Sequence, residues 1–168
     1  MFTRLVLLYF YYILYNRDDN LVVHGSEKYK NIFKEVIDIS SEVIPVIKDK
    51  KITIVVTEAE ERWLGMHIDL LGMIVMNVRG NKTELDFQKI FLHELFHQLG
   101  ISRHPKWWKY IETFPHTPDL YHFNHTGDLM DQYYHPENKI TNLTLFFIEK
   151  IGYHIEWDKR DGQFFSLD

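Results

Sequence analysis

The chain has 168 residues, 45% of them apolar and 26% charged, which is the size and composition of one globular domain with a proper core. A net charge of −5, with no basic block, excludes a general nucleic-acid binder, because nothing gathers phosphates. There is no cysteine, which excludes disulfides and thiolate metal sites, weakly favours an intracellular setting, and leaves His, Asp and Glu as the side chains able to hold a metal.

Taken in order, Phe2 to Tyr15 is a run of 14 residues, apolar and aromatic except for Thr3 and Arg4. It is short for a membrane span and lacks a small-residue cleavage site before Asn16. Its Tyr, Phe and Ile content predicts a first buried strand within residues 1–20, with a membrane-anchoring or export segment as the alternative. Asn16 to Asn20 reads as a turn, and Leu21 to His24 as further strand. Ser26 opens a helix with Tyr29, Phe33 and Val36/Ile37 on one stripe, continuing to Ile44 and ended by Pro45. Lys51 to Thr57 is a β-branched strand. Glu58 to Arg62 is a charged connection and Trp63 to Asp69 reads as irregular. The H-x-D triplet His67-Ile68-Asp69 is a weak metal signal, better taken as polar loop. Leu71 to Val78 is another strand.

Residues 84–104, ELDFQKIFLHELFHQLGISRH, hold an H-E-x-x-H pattern at His93, Glu94 and His97. On a helix, positions i and i+4 lie on one face, so two imidazoles can grip one ion with Glu94 beside it as proton acceptor. Thr83 is the expected N-cap, Glu84 and Asp86 suit the first turn, Gly100 suits the end, and Phe87, Phe91, Leu95 and Leu99 supply a core-facing row. A hydrolytic site wants three protein ligands and an open position for water. The third ligand must come from beyond Gly100, and the region 101–139 offers His104, His116, His122, His125, Glu112 and Asp119. Pro105 to Tyr110 reads as a short helix inside this long, Pro- and His-rich region. Thr141 to Ile151 reads as a closing helix, and the tail from Asp158 as a frayed end.

The run HELFHQLGISRH resembles the signature of the metzincin clan of zinc peptidases, H-E-x-x-H-x-x-G-x-x-H. His93, Glu94, His97 and Gly100 match by position. Arg103 stands where the third ligand belongs, and His104 follows one residue later, so the resemblance implies His104 as the third ligand across a longer turn. Gly127-Asp128-Leu129-Met130-Asp131 is similar to the clan's Met-turn, which implies Met130 as a hydrophobic floor. Residues 140–153 are similar to its C-terminal helix. Tyr133 or Tyr134, after the Met-turn, implies support of the transition state. The strand before the zinc helix, here Leu71 to Val78, would wall the cleft and pair with an extended substrate.

The expected fold is a single zincin-like α/β (α+β) domain over residues 1–168. It has a twisted mixed sheet of about four to five strands, a backing helix, an active-site helix, and a C-terminal helix after a long loop region. The expected function is a monomeric metalloendopeptidase with one catalytic Zn2+ and a peptide or protein substrate. Two alternatives stand beside it: an HExxH hydrolase with a Glu or Asp third ligand, and an inert metal- or peptide-binding module on the same scaffold.

Overall fold

A computed structural model describes residues 20–60, 63–80, 82–124 and 126–167. The expected first strand, or anchoring segment, before Asn20 lies outside the described residues. Among the described residues, no helix is long and apolar enough to cross a membrane.

Four strands form one mixed sheet: β1 (Leu21–His24), β2 (Ile52–Thr57), β3 (Gly65–Ile68) and β4 (Met73–Asn77), in the spatial order β1-β2-β4-β3. β1 and β4 both run parallel to β2, whereas β3 runs antiparallel to β4, with Gly65 opposite Met76 and Ile68 opposite Met73. Every residue of β4 is buried, as suits an interior strand covered on both faces. The strand expected at Leu71 to Val78 is therefore present but does not wall a cleft. That place belongs to β3, within the stretch expected to be irregular. The signal was weak because β3 is only four residues long and half-buried, with no clean alternation.

The helix α1 (Glu27–Val43) backs the sheet with Ile32, Phe33, Val36 and Val43 buried. It stops before Pro45, whose ring disfavours helical backbone in the preceding residue; Ile44 sits at φ −127°. The helix α2 (Glu84–Leu99) carries the H-E-x-x-H residues. Its start is a capping box, in which Thr83 Oγ1 accepts from Asp86 N at 3.2 Å and Asp86 Oδ2 accepts from Thr83 N at 2.8 Å. The expected row Phe87, Phe91, Leu95 and Leu99 is buried, and Phe91 meets Phe33 of α1 at 4.8 Å between ring centroids. These contacts fix the rotation of α2, so His93 and Glu94 turn toward β3 and the loops.

The short α3 (Pro105–Ile111) and the closing α4 (Asn142–Ile151) form the other half of the core with the loop between them. Trp107, Phe123 and Phe147 are fully buried there, with the Trp107 ring 4.6 Å from Phe147 and 5.4 Å from Phe123. The C-terminal tail is not frayed. Phe164 and Phe165 are buried, and Ile140 N donates to Phe164 O while Ser166 N donates to Ile140 O, each at 2.8 Å. Burial of two phenylalanines and the backbone pairing with Ile140 together hold the segment in place.

Candidate metal centre

Three imidazoles converge in a cleft between α2, β3 and the loop that follows α3. His97 Nε2 lies 3.1 Å from His93 Nε2 and 3.2 Å from His122 Nε2. Ligand bonds of about 2.0–2.1 Å in a tetrahedral arrangement place nitrogens roughly 3.3 Å apart, so this is the spacing of three corners around one ion. His93, His97 and His122 form a group that could hold a metal ion.

The outer ring nitrogens show that the inner ones are free to bind. His93 Nδ1 faces the Leu129 carbonyl at 2.7 Å, and a carbonyl only accepts, so the proton is on Nδ1. His97 Nδ1 lies 2.7 Å from Ser102 Oγ, and that hydroxyl gives its own proton to the Ile101 carbonyl at 2.6 Å. His97 is therefore also the Nδ1–H tautomer. Two bare Nε2 lone pairs then face each other at hydrogen-bond distance with no proton between them. A cation resolves that repulsion, and such outer partners are what orient metal-binding histidines. Burial also favours neutral rings: it holds His93 down to about 4, lowers His97 well below the ordinary histidine value, and lowers His122 against the pull of Asp119 and Asp131.

His122, rather than His104, is what the structure brings to the pair. His104 instead caps α3, its Nδ1 accepting from Lys106 N at 3.2 Å. The turn after Gly100 is tight, with Gly100 at φ +119° and Ser102 at φ +66°, and it spends Ser102 on His97. His122 arrives on a loop folded around Thr117, whose N–H donates to the His122 carbonyl at 3.0 Å and whose Oγ1 accepts from His122 N at 3.2 Å. The loop is pinned to the core where Trp107 Nε1 donates to the Leu120 carbonyl at 2.8 Å. Of the other candidates, His116 donates from its ring to the Thr117 carbonyl at 2.9 Å, Asp119 serves the Thr117 hydroxyl, and His125 lies outside the described residues.

Arg103, at the position where the metzincin pattern has a ligand, is a brace. Its Nε donates to Asp69 Oδ2 at 2.8 Å and its Nη1 to the His97 carbonyl at 3.3 Å, tying the end of α2 to the end of β3.

The 127–131 turn passes beneath the histidines. Its Leu129 carbonyl orients His93, and Met130 is fully buried. Asp128 is the hub of this turn, accepting from Met130 N at 2.7 Å, Thr144 Oγ1 at 2.7 Å and Thr141 N at 2.9 Å, which locks it to the start of α4. Burial pushes the Asp128 carboxyl up while these donors pull it down. Tyr133 and Tyr134 both line the cleft. The Tyr134 hydroxyl, however, is spent on Asp86 Oδ1 at 2.6 Å, in the first turn of α2. At ~1.5 Å rise per residue that is roughly 10 Å along the helix from His93. Tyr133 is exposed.

Glu94 is 8% exposed and lies against β3, close to the His67 backbone N–H. Burial pushes this carboxyl up to about 8, with the His67 N–H pulling the other way. The approach is close enough to require glycine in the strand. A Cβ on Gly65 would stand 2.7 Å from Glu94 Cγ and 2.8 Å from its Oε1. We expect Gly65→Ala to cost about 1–3 kcal/mol through overpacking, read by urea unfolding of the metal-free protein, with metal affinity retained. Unchanged stability would show that the strand can move away from Glu94.

The cleft has a volume of about 500 Å3 and is walled by Trp63, Leu64, Met66, Ile90, Tyr121 and the histidines. Comparisons with protein-family models, with curated proteins and with solved structures found no match.

Proposed function

We propose that this protein is a zinc-dependent endopeptidase whose ligands are His93, His97 and His122 and whose general base is Glu94. The observation that carries the reading is the triangle of Nε2 atoms, those of His93 and His97 bare, beside a buried carboxyl from the helix of those two. Three neutral imidazoles suit zinc, and three protein ligands leave a fourth position open, the pattern of hydrolytic rather than structural sites. Zinc bound there supplies Lewis acidity, both to polarise a carbonyl and to acidify water.

The remaining work falls to the chain. Glu94, whose carboxyl a cation held by the histidines would ionise against its burial, takes the proton of the attacking water and returns it to the departing amine. Its carboxyl is kept in place by close packing on β3, which the absence of a side chain at Gly65 allows. The edge strand β3 and the aromatic walls suit an extended chain with apolar side chains, which would lie along the sheet edge. The metzincin resemblance supports the base, the first two ligands and the turn under the site. His122 in place of the post-glycine histidine sets this chain apart from that pattern. A carboxylate third ligand is less well supported, because the group that converges is made of three histidines.

The test is metal analysis joined to turnover. We expect one zinc per chain and cleavage of a mixed peptide library that stops on chelation and returns with zinc. A zinc-loaded protein that leaves such a library intact would favour the inert binding module.

A further inference from the structure

The edge strand carries a polar group that the ligand set does not use. His67 Nδ1 lies 2.8 Å from Asp69 Oδ1, and Asp69 is held through its other oxygen by Arg103. The His67 side chain is only 3% exposed, yet its Nε2 has no hydrogen-bond partner among the described residues. A buried polar atom left unpaired is destabilising, so its retention calls for a partner that arrives later.

The strand geometry says which way this ring leaves. Side chains at i and i+2 leave a strand on the same face. A Cβ at Gly65 would run into Glu94 and Ile90, so that face looks at α2. His67 leaves from the same face two residues on, close enough to act electrostatically on His97, and it lines the cleft together with Glu94, His97 and Arg103. Arg103 Nη1 is 3.2 Å from His67 Nδ1, but the shorter carboxylate contact sets the tautomer. With the Nδ1 proton given to Asp69, Nε2 presents a lone pair, which wants a donor. The His67 backbone N–H faces the Glu94 side, so here the strand meets a substrate with the ring instead.

The donor repeated along any peptide, at every residue but proline, is the backbone N–H. We propose that His67 is a substrate-contacting residue whose Nε2 accepts a hydrogen bond from a backbone N–H of an extended peptide lying along β3 beside Glu94. Asp69 and Arg103 position the ring. This inference rests on the peptidase reading above.

The probe is a short N-acyl tripeptide hydroxamate, whose hydroxamate is metal-directed, with each backbone amide replaced in turn by an ester that lacks the N–H. Binding to the zinc-loaded full chain is measured by calorimetry. One ester is expected to bind about 10-fold more weakly than the parent amide, as the loss of one hydrogen bond implies. That ratio should fall to about 1 in His67→Ala and in the shape-keeping His67→Phe, while the other esters behave alike in all three proteins. Long-range 15N–1H spectra of the free protein should show His67 as the Nδ1–H tautomer. Equal amide-to-ester ratios with and without the imidazole would overturn the proposal, as would an Nε2–H tautomer. A zinc-loaded protein that ignores every hydroxamate would sink the peptidase reading itself, a result distinct from equal ratios.

Discussion

Glu94→Gln is expected to lower peptide turnover by at least 100-fold while leaving zinc content unchanged. General acid–base catalysis by a placed side chain contributes about 10²–10⁴-fold, and Glu94 lines the cleft from the same helix as His93 and His97. Glutamine keeps the shape that packs on Gly65, so β3 should remain where it is. It cannot take a proton. Gly65 leaves no room for the new side chain to swing toward the strand and admit a substitute, since even a methyl group there would stand 2.7 Å from Glu94 Cγ. The comparison needs equal zinc loading and initial rates on one library-selected peptide. Turnover within 10-fold of the parent would mean that another group takes the proton.

His122→Ala is expected to weaken zinc binding by more than about 100-fold, whereas His104→Ala should leave it unchanged. Even an outer partner of a ligand histidine is worth about 10–100-fold, and a direct ligand is worth more. His122 contributes one of three Nε2 atoms, 3.2 Å from that of His97, and removing it leaves a two-coordinate pair. His104 faces the amide of Lys106 instead, so its loss should read out as a small drop in stability from a missing helix cap. Competition with a chromophoric chelator measures both affinities on the same scale. The reverse ranking would restore the post-glycine ligand and require the turn to open.

The two variants test unequal parts of the sequence reading. His93, Glu94 and His97 lie within five residues of one helix, and helical spacing is a local property. The caps at Thr83 and Gly100 and the row from Phe87 to Leu99 confirm that helix from inside the sequence. His122 was one of several candidates, because its arrival depends on a chain path 25 residues long. That path is set by Trp107 and Phe123 packing against Phe147 of α4, and by a loop closed on Thr117. Nothing in the spacing of histidines records it. His67 was likewise legible only as a weak triplet, since its strand is four residues long and shows no alternation.

By itself the sequence determined the elements whose cause is local: the capped helix with His93 and His97 at ligand spacing and Glu94 beside them, the backing helix stopped by Pro45, the strands at Leu21–His24, Ile52–Thr57 and Met73–Asn77, and the closing helix. Tertiary structure decided what local energies leave undetermined: that His122 rather than His104 completes the triangle, that Arg103 braces the sheet edge, that β3 rather than β4 walls the cleft, and that the tail folds back on Ile140. The physical reason is the range of the forces. Helix spacing and capping act over a turn or two, while the loops that finish the site are placed by apolar burial between segments far apart in the chain.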